Sequence, residues 1–260
     1  MKKRVLSRND VYSGDLILVN ASHPYRETDS VSLVSIANEP STVLMERHAA
    51  TLLAELMKKI HGWEQILPVS GWRSHLEQKA IWNDTLRESG EAFTRKFVAL
   101  PGHSEHETGL AIDLGLRGAD LDVICPTFPY EGICESFRRH AADYGFIERY
   151  PAGKETITGI GHEPWHFRYV GVPHAWIMRD KGITLEEYIE LLKDFPFNRR
   201  PLCYPNYHVG FTVSYLESRQ ENMFFDMEDD LPYAVSGNNG DGFIITEWRH
   251  ANGRQNNWRT

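Results

Sequence analysis

What the chain has little of narrows it first. It holds only three cysteines in 260 residues (Cys125, Cys134 and Cys203), an odd number with no close metal-type pairing. That argues against a disulfide scaffold or a cysteine zinc site, and reduced structural thiols in a cytoplasmic protein are the expected state. No run approaches the roughly 20 apolar residues of a membrane span. The opening Met1-Lys2-Lys3-Arg4 is basic, but Val5 to Asp10 is too short and too polar for the apolar region of a signal peptide, so cytoplasmic localisation is expected. An excess of cations is missing as well. With 28 Lys and Arg against 36 Asp and Glu, the formal net charge is −8, and no nucleic-acid partner is expected, since phosphate-binding proteins carry a basic face. Internal repeats and long low-complexity tracts are also lacking. The 41% hydrophobic and 12% aromatic content that remains is ample for a packed core, in one large domain or one ordinary domain with an appendage.

The chain reads in order as follows. Asp15 to Val19 is a strand candidate. A helix is predicted to open at Ser41 after Pro40, with Met45, Ala49, Leu52, Leu53, Leu56, Met57 and Ile60 at helical spacing, Lys58 and Lys59 in the last turn and Gly62 as the stop. Ile66 to Trp72 reads as a strand. Ser74 and Glu77 form a capping-box pattern for a helix from about His75 to Arg87 that stops near Gly90, which places Arg73 at a strand-to-helix junction. Leu110 to Leu114 is a buried-strand pattern, Leu121 to Ile124 a weaker one, Glu131 to Tyr144 a helix and Phe146 to Tyr150 another strand. A loop from Pro151 to Gly161 leads to a strand in which Trp165, Phe167 and Tyr169 alternate with His166 and Arg168. Helices are predicted from Val172-Pro173 to about Lys181 and from Thr184 to Phe195. Pro196, Pro201 and Pro205 then mark a linker. Tyr207, Val209, Phe211, Val213 and Tyr215 alternate as a half-buried strand, and Tyr233 to Val235 with Phe243 to Trp248 flank a Gly- and Asn-rich hairpin turn. The expected organisation is residues 1–195 as one domain and 196–260 as a linker and small β-rich extension.

Twelve histidines are present, and four of them fall in two short stretches. The first is Gly102 to Asp113, Gly-His-Ser-Glu-His-Glu-Thr-Gly-Leu-Ala-Ile-Asp. The second is His162 to Tyr169, His-Glu-Pro-Trp-His-Phe-Arg-Tyr. A lone histidine is usually structural; the combination of His106, Asp113 seven positions on and Glu163-x-x-His166 is what points to a metal. Neutral imidazoles and an ionised carboxylate suit zinc without any cysteine, and Asp113 in an apolar run needs a compensating partner. Glu163 lies three positions from His166, on the opposite face of a regular strand. Pro164 is tolerated where a strand begins, which lets Glu163 turn toward the same site and serve as general base. A guanidinium such as that of Arg73 suits a developing oxyanion.

Ser104-x-His106-x-x-Gly109-x-Ala111-x-Asp113 and Glu163-x-Trp165-His166-x-Arg168-Tyr169 resemble the two signatures of the zinc D,D-peptidases of the vancomycin-resistance type, the dipeptidase VanX, the carboxypeptidase VanY and the combined VanXY enzymes. Ser70-Gly71-Trp72-Arg73-Ser74 with Gln78 is similar to their upstream segment, although tyrosine is common in place of Trp72. The resemblance spans roughly residues 10–195. It implies an α+β fold with a central antiparallel sheet flanked by helices, shared with the hedgehog branch. It also implies zinc on His106, Asp113 and His166, Glu163 as base, Arg73 on the scissile carbonyl, and Ser104 and Gln78 holding the terminal D-Ala. The implied substrate is a D-Ala-D-Ala dipeptide or a D-Ala-D-Ala-terminated precursor peptide. A related zinc cell-wall endopeptidase and a non-catalytic zinc-binding domain are the competing readings; the presence of Glu163, Arg73 and Ser104 tells against the latter. The extension after Pro196 is expected to stabilise or dimerise the protein, with a lid over the cleft as the alternative.

Overall fold

The structure, a computed structural model, describes residues 2–27, 31–36, 43–119, 122–205 and 209–250. It divides into two compact units, one of Ile17–Tyr188 and one of Met1–Leu16 with Ile189–Thr260. The second unit thus draws in the N-terminal segment as well as the extension that begins after the prolines.

The larger unit contains, in chain order after the first strand of the protein, β1 (Lys2–Ser7), the strands β2 (Leu33–Ser35) and β3 (Leu44–Glu46), α1 (Arg47–Lys59), β4 (Ile66–Ser70), α2 (His75–Phe97), β5 (Ala111–Leu116), α3 (Gly132–Ala141), β6 (Phe146–Tyr150), α4 (Glu155–Thr158), β7 (Glu163–Tyr169) and α5 (His174–Lys181). Its centre is a four-stranded sheet of order β4-β5-β7-β6 in which every neighbouring pair is antiparallel. This is the α+β architecture expected from the sequence. Strand alternation divides the sheet chemically. Ile112 and Leu114 of β5, Phe146 of β6 and Phe167 and Tyr169 of β7 join Leu53, Leu56 and Met57 of α1 and Phe137 of α3 in one apolar core. Asp113, His166 and Arg168 lie at the alternate positions, and all three are buried.

Local chemistry explains where the elements begin and end. The Glu46 carboxylate accepts the His48 and Ala49 amides at 2.7 and 3.0 Å and so starts α1. Met45, predicted in the helix, instead lies in β3, paired with Val34, because the helix is capped one residue later. The predicted opening at Pro40 and Ser41 lies outside the described residues. Ser74 and Glu77 cap α2 reciprocally, the Ser74 amide donating to Glu77 Oε2 at 2.8 Å and the Glu77 amide to Ser74 Oγ at 3.2 Å. The chain kinks rather than stops at Gly90, where φ is 80°, and helix continues to Phe97.

Among the described residues two predicted strands do not form. Leu16 to Val19 is buried but makes no ladder; within the larger unit its polar backbone is met by a side chain, Arg168 donating to Ile17 O at 3.0 Å. Leu121 lies outside the described residues, and Asp122 to Ile124 form a turn in which Asp122 Oδ1 accepts the amides of Ile124 and Cys125 at 2.8 and 3.0 Å.

The helix α6 (Leu185–Leu192) carries the boundary between the units, and Thr184 with Glu187 caps it as expected. The smaller unit then adds β8 (Leu202–Pro205), β9 (Val209–Glu217), β10 (Asn222–Met227), β11 (Tyr233–Gly237) and β12 (Gly242–His250). They form an antiparallel sheet of order β11-β12-β9-β8 and a ribbon in which β10 pairs with β1. The β11–β12 hairpin is the one read from the sequence. Its turn is held by Asn238 Oδ1, which accepts the amides of Gly240, Asp241 and Gly242 at 3.0 to 3.1 Å. Tyr207 and His208 lie outside the described residues. The strand they were to open is buried on both faces, not one: Thr212 and Ser214 are as covered as Phe211 and Val213.

Candidate metal centre and active site

The site is built on the polar face of the central sheet. Antiparallel pairing sets Asp113 directly opposite His166, so residues 53 positions apart share one rung. His166 Nδ1 lies 2.9 Å from Asp113 Oδ1. His106 arrives from the single turn Glu105–Thr108 between α2 and β5, and its Nε2 lies 3.1 Å from Asp113 Oδ2. The other ring nitrogen of His106 donates to the Gly71 carbonyl at 2.7 Å. That bond fixes the tautomer and leaves Nε2 for the site. Gly71 is needed where it is, since a Cβ there would collide with the Leu44 carbonyl oxygen, to which the Trp72 amide donates. One atom each from His106, Asp113 and His166 lies within 4.8 Å of the others.

Glu163 reaches the same place through an irregularity. Glu148 pairs with Phe167 and Tyr150 with Glu163, so two steps along β6 match four along β7. This bulge in β7 relieves the alternation that would turn Glu163 away. Its Oε2 lies 3.7 Å from His166 Nδ1. Arg73, at the end of β4, donates to Asp113 Oδ2 at 2.9 Å, to Ser70 Oγ at 2.8 Å and to Gln78 Oε1 at 3.3 Å. Gln78 is buried and donates to the Ala99 carbonyl at 2.8 Å, which uses one of its two amide protons. Ser104 opens the His106 turn. Arg73, Gln78, Ser104 and Glu163 line one cleft with the imidazoles, and Ile81, Phe97, Ile124, Ile160 and Trp165 supply its apolar wall. The two remaining histidines of the motifs go elsewhere: His103 Nδ1 donates to the Asn20 carbonyl at 2.8 Å, and His162 Nε2 meets Tyr130 Oη at 2.7 Å.

Of the three donors, His106 and Asp113 are in the protonation state a metal needs, and His166 would give up a proton to bind one. Burial, helped by Arg73, holds the His106 imidazole down to about 4, so it is neutral. Burial would raise the Asp113 carboxyl, but His106 and His166 outweigh it and hold it well below the usual carboxylate range. His166 is disfavoured as a cation by burial, yet the Asp113 and Glu105 carboxylates raise it to about 9. Burial pushes Glu163 up to about 8, opposed by His166 and reinforced by Asp113. Two imidazole nitrogens and a carboxylate oxygen, buried and convergent, are a donor set for zinc.

Sequence reasoning missed Glu105, Arg149 and Tyr150 and gave Arg168 no task. Glu105 Oε1 accepts Arg149 Nε at 2.8 Å and Arg168 Nη1 at 2.9 Å, and all three side chains are fully buried. Arg149 also grips Glu186, at 2.9 and 2.6 Å. The Tyr150 ring centroid lies 4.9 Å from that of His166. The one signal available was a pair of arginines, Arg149 and Arg168, inside strands otherwise rich in apolar residues.

The chain is similar to several known proteins. The family model described as VanY, D-alanyl-D-alanine carboxypeptidase, matches residues 42–172. The chain is 41% identical over 179 residues to the bifunctional D-Ala-D-Ala dipeptidase and D-Ala-D-Ala carboxypeptidase VanXYC of Enterococcus gallinarum, covering 68% of this chain and 94% of that one. Among solved structures it is similar to the vancomycin-resistance D,D-dipeptidase VanXYg in complex with a D-Ala-D-Ala phosphinate analogue, with 45% identity, a TM-score of 0.93 and coverage of 95% and 99% of the two chains. It is also similar to a variant of the D,D-pentapeptidase VanY from a VanB-type resistance cassette in complex with Zn(II), with 29% identity, a TM-score of 0.55 and coverage of 67% and 98%.

Proposed function

Since the chain belongs to the VanY family of D-alanyl-D-alanine carboxypeptidases, we propose that it hydrolyses the bond to a C-terminal D-Ala both in D-Ala-D-Ala and in precursor peptides that end in it. The protein is a hydrolase of the D-Ala-D-Ala dipeptidase and carboxypeptidase type associated with vancomycin resistance. The observation that carries the finer reading is the buried His106, Asp113 and His166 cluster with Glu163 beside it in one cleft.

His106 Nε2, an Asp113 oxygen and His166 Nδ1 would hold zinc. Bound there, zinc supplies a Lewis acid that polarises the scissile carbonyl and makes water nucleophilic at neutral pH. Glu163 accepts the proton of the attacking water and returns it to the leaving D-Ala amine; a carboxyl poised near neutrality is suited to both transfers. Arg73, steadied by Ser70 and Gln78, faces the oxygen on which charge develops. Ser104 and the second amide proton of Gln78 take the terminal carboxylate. The apolar wall of the cleft fits the alanine methyls and keeps water out. The extension is assigned a stabilising or dimerising role, which sedimentation at two protein concentrations would read.

No helix among the described residues is long and apolar enough to cross a membrane. Action in the cytoplasm is part of the proposal, and cell fractionation tests it. Incubating the zinc-loaded protein with D-Ala-D-Ala and with the pentapeptide precursor tests the activity. Free D-Ala from both is expected, and release from neither overturns the reading.

A further inference from the structure

We infer that Glu105 is a positioning residue of the metal centre: its Oε2 receives the Nε2 proton of His166 and so holds that imidazole in the tautomer that presents Nδ1 to zinc. The inference rests on the reading of His166 as a zinc ligand.

Two buried atoms lead to it. Glu105 Oε2 and His166 Nε2 both lack a hydrogen-bond partner among the described residues, and they face each other at 3.6 Å. An unsatisfied buried donor or acceptor costs about 1–3 kcal/mol, so two of them in line call for an explanation. A movement of less than about 1 Å brings them to hydrogen-bond length. The other oxygen, Oε1, already takes both Arg149 and Arg168. Glu105 and Glu186 together balance the charges of Arg149 and Arg168, so the fold needs nothing more from Oε2. Its aim at the imidazole is left over from the structural task. The arginines, in turn, fix the carboxylate so that Oε2 can face only one way.

The chemistry of imidazole completes the argument. A neutral ring carries one proton, and when Nδ1 serves a metal that proton sits on Nε2. Among the described residues Glu105 Oε2 is the acceptor that faces Nε2. A carboxylate accepting from a ligand histidine orients the ring and raises its basicity. His106 has the equivalent support from the Gly71 carbonyl. The two imidazoles are therefore held by different devices, a neutral backbone oxygen for one and an anchored anion for the other.

The test uses the full-length protein stripped of metal, compared as wild type, Glu105→Gln and Glu186→Gln. Zinc affinity is read by competition with a chromophoric chelator, and the cobalt(II) form by its visible absorption. The histidine tautomers of the zinc-loaded wild type are read by long-range proton–nitrogen NMR. Expected are a slowly exchanging Nε2–H on His166 in the wild type, zinc binding weakened about 10- to 100-fold in Glu105→Gln with shifted cobalt bands, and near wild-type affinity and bands in Glu186→Gln. A rapidly exchanging Nε2–H on zinc-loaded His166, or equal affinity in a folded Glu105→Gln, overturns the inference. Should Glu105→Gln fail to fold, the exchange rate of the wild-type Nε2–H decides. An Nδ1–H on zinc-loaded His166, or loss of zinc binding by the wild type itself, would instead remove the ligand assignment on which the inference stands.

Discussion

The two faces of the central sheet are equally dry and chemically opposite. On one, Ile112, Leu114, Phe146, Phe167 and Tyr169 pack against helices. On the other, Asp113, His166 and Arg168 stand among Glu105, Glu163, His106 and Arg149, all of them buried. An apolar face stabilises by the area it removes from water and tolerates imprecise partners. An ionic face stabilises little in net terms, because every charge must be matched to recover its lost hydration. On the proposed reading one face holds the fold and the other the chemistry, and substitutions should separate them.

The largest separation is expected from Glu163→Ala. Turnover of D-Ala-D-Ala should fall roughly 10⁴-fold while zinc content and melting temperature stay near those of the wild type. A collapse of the melting temperature in that variant would show the ionic face bearing the fold. Phe167→Ala is the converse on the apolar face: about 4 kcal/mol of stability lost in urea unfolding, with turnover of the folded fraction changed little. Arg73→Lys keeps the charge but not the planar fork that meets Asp113, Ser70 and Gln78, and should lower kcat about 10²-fold by steady-state kinetics. The smallest effect sharpens the contrast between imidazoles. His174 is buried against Tyr188, and burial holds it down to about 3 from a reference of 6.5. As pH falls from 6.5 toward 3 the unfolded chain binds a proton that the folded one refuses. Stability should therefore drop by about 1.4 kcal/mol per pH unit across that window, and a His174→Asn variant should lose this part of the slope in melts at pH 7 and 5.

The sequence carried the metal-type cluster because its residues sit in two compact motifs whose combination points to a metal. It carried the sheet too, since β5, β6 and β7 each show strand patterning and β7 begins at an awkward proline. Glu163 was legible only as a residue that needed an irregularity; the bulge opposite Glu148 and Tyr150 supplied it. Glu105 was illegible, because its partners Arg149 and Arg168 lie 44 and 63 positions away and nothing local announces an ion pair. The same holds for β1, which pairs with β10 across nearly the whole chain. Met45 and Asp15 to Val19 failed for another reason. Apolar spacing tells burial, but whether a buried segment becomes helix, strand or neither depends on a cap at Glu46 and on an arginine that meets the Ile17 carbonyl.

The pairing of Asp113 with His166 makes the length of chain between the motifs irrelevant to the chemistry. Residues added at an exposed turn such as Ala152–Gly153 would lengthen a loop at modest entropic cost and leave the rung untouched. A single residue inserted within β5 or β7 would do the opposite, turning one donor into the apolar core while the motif remained intact on paper. The Asp113–His166 rung is in this sense addressed by register rather than by the length of chain between the motifs.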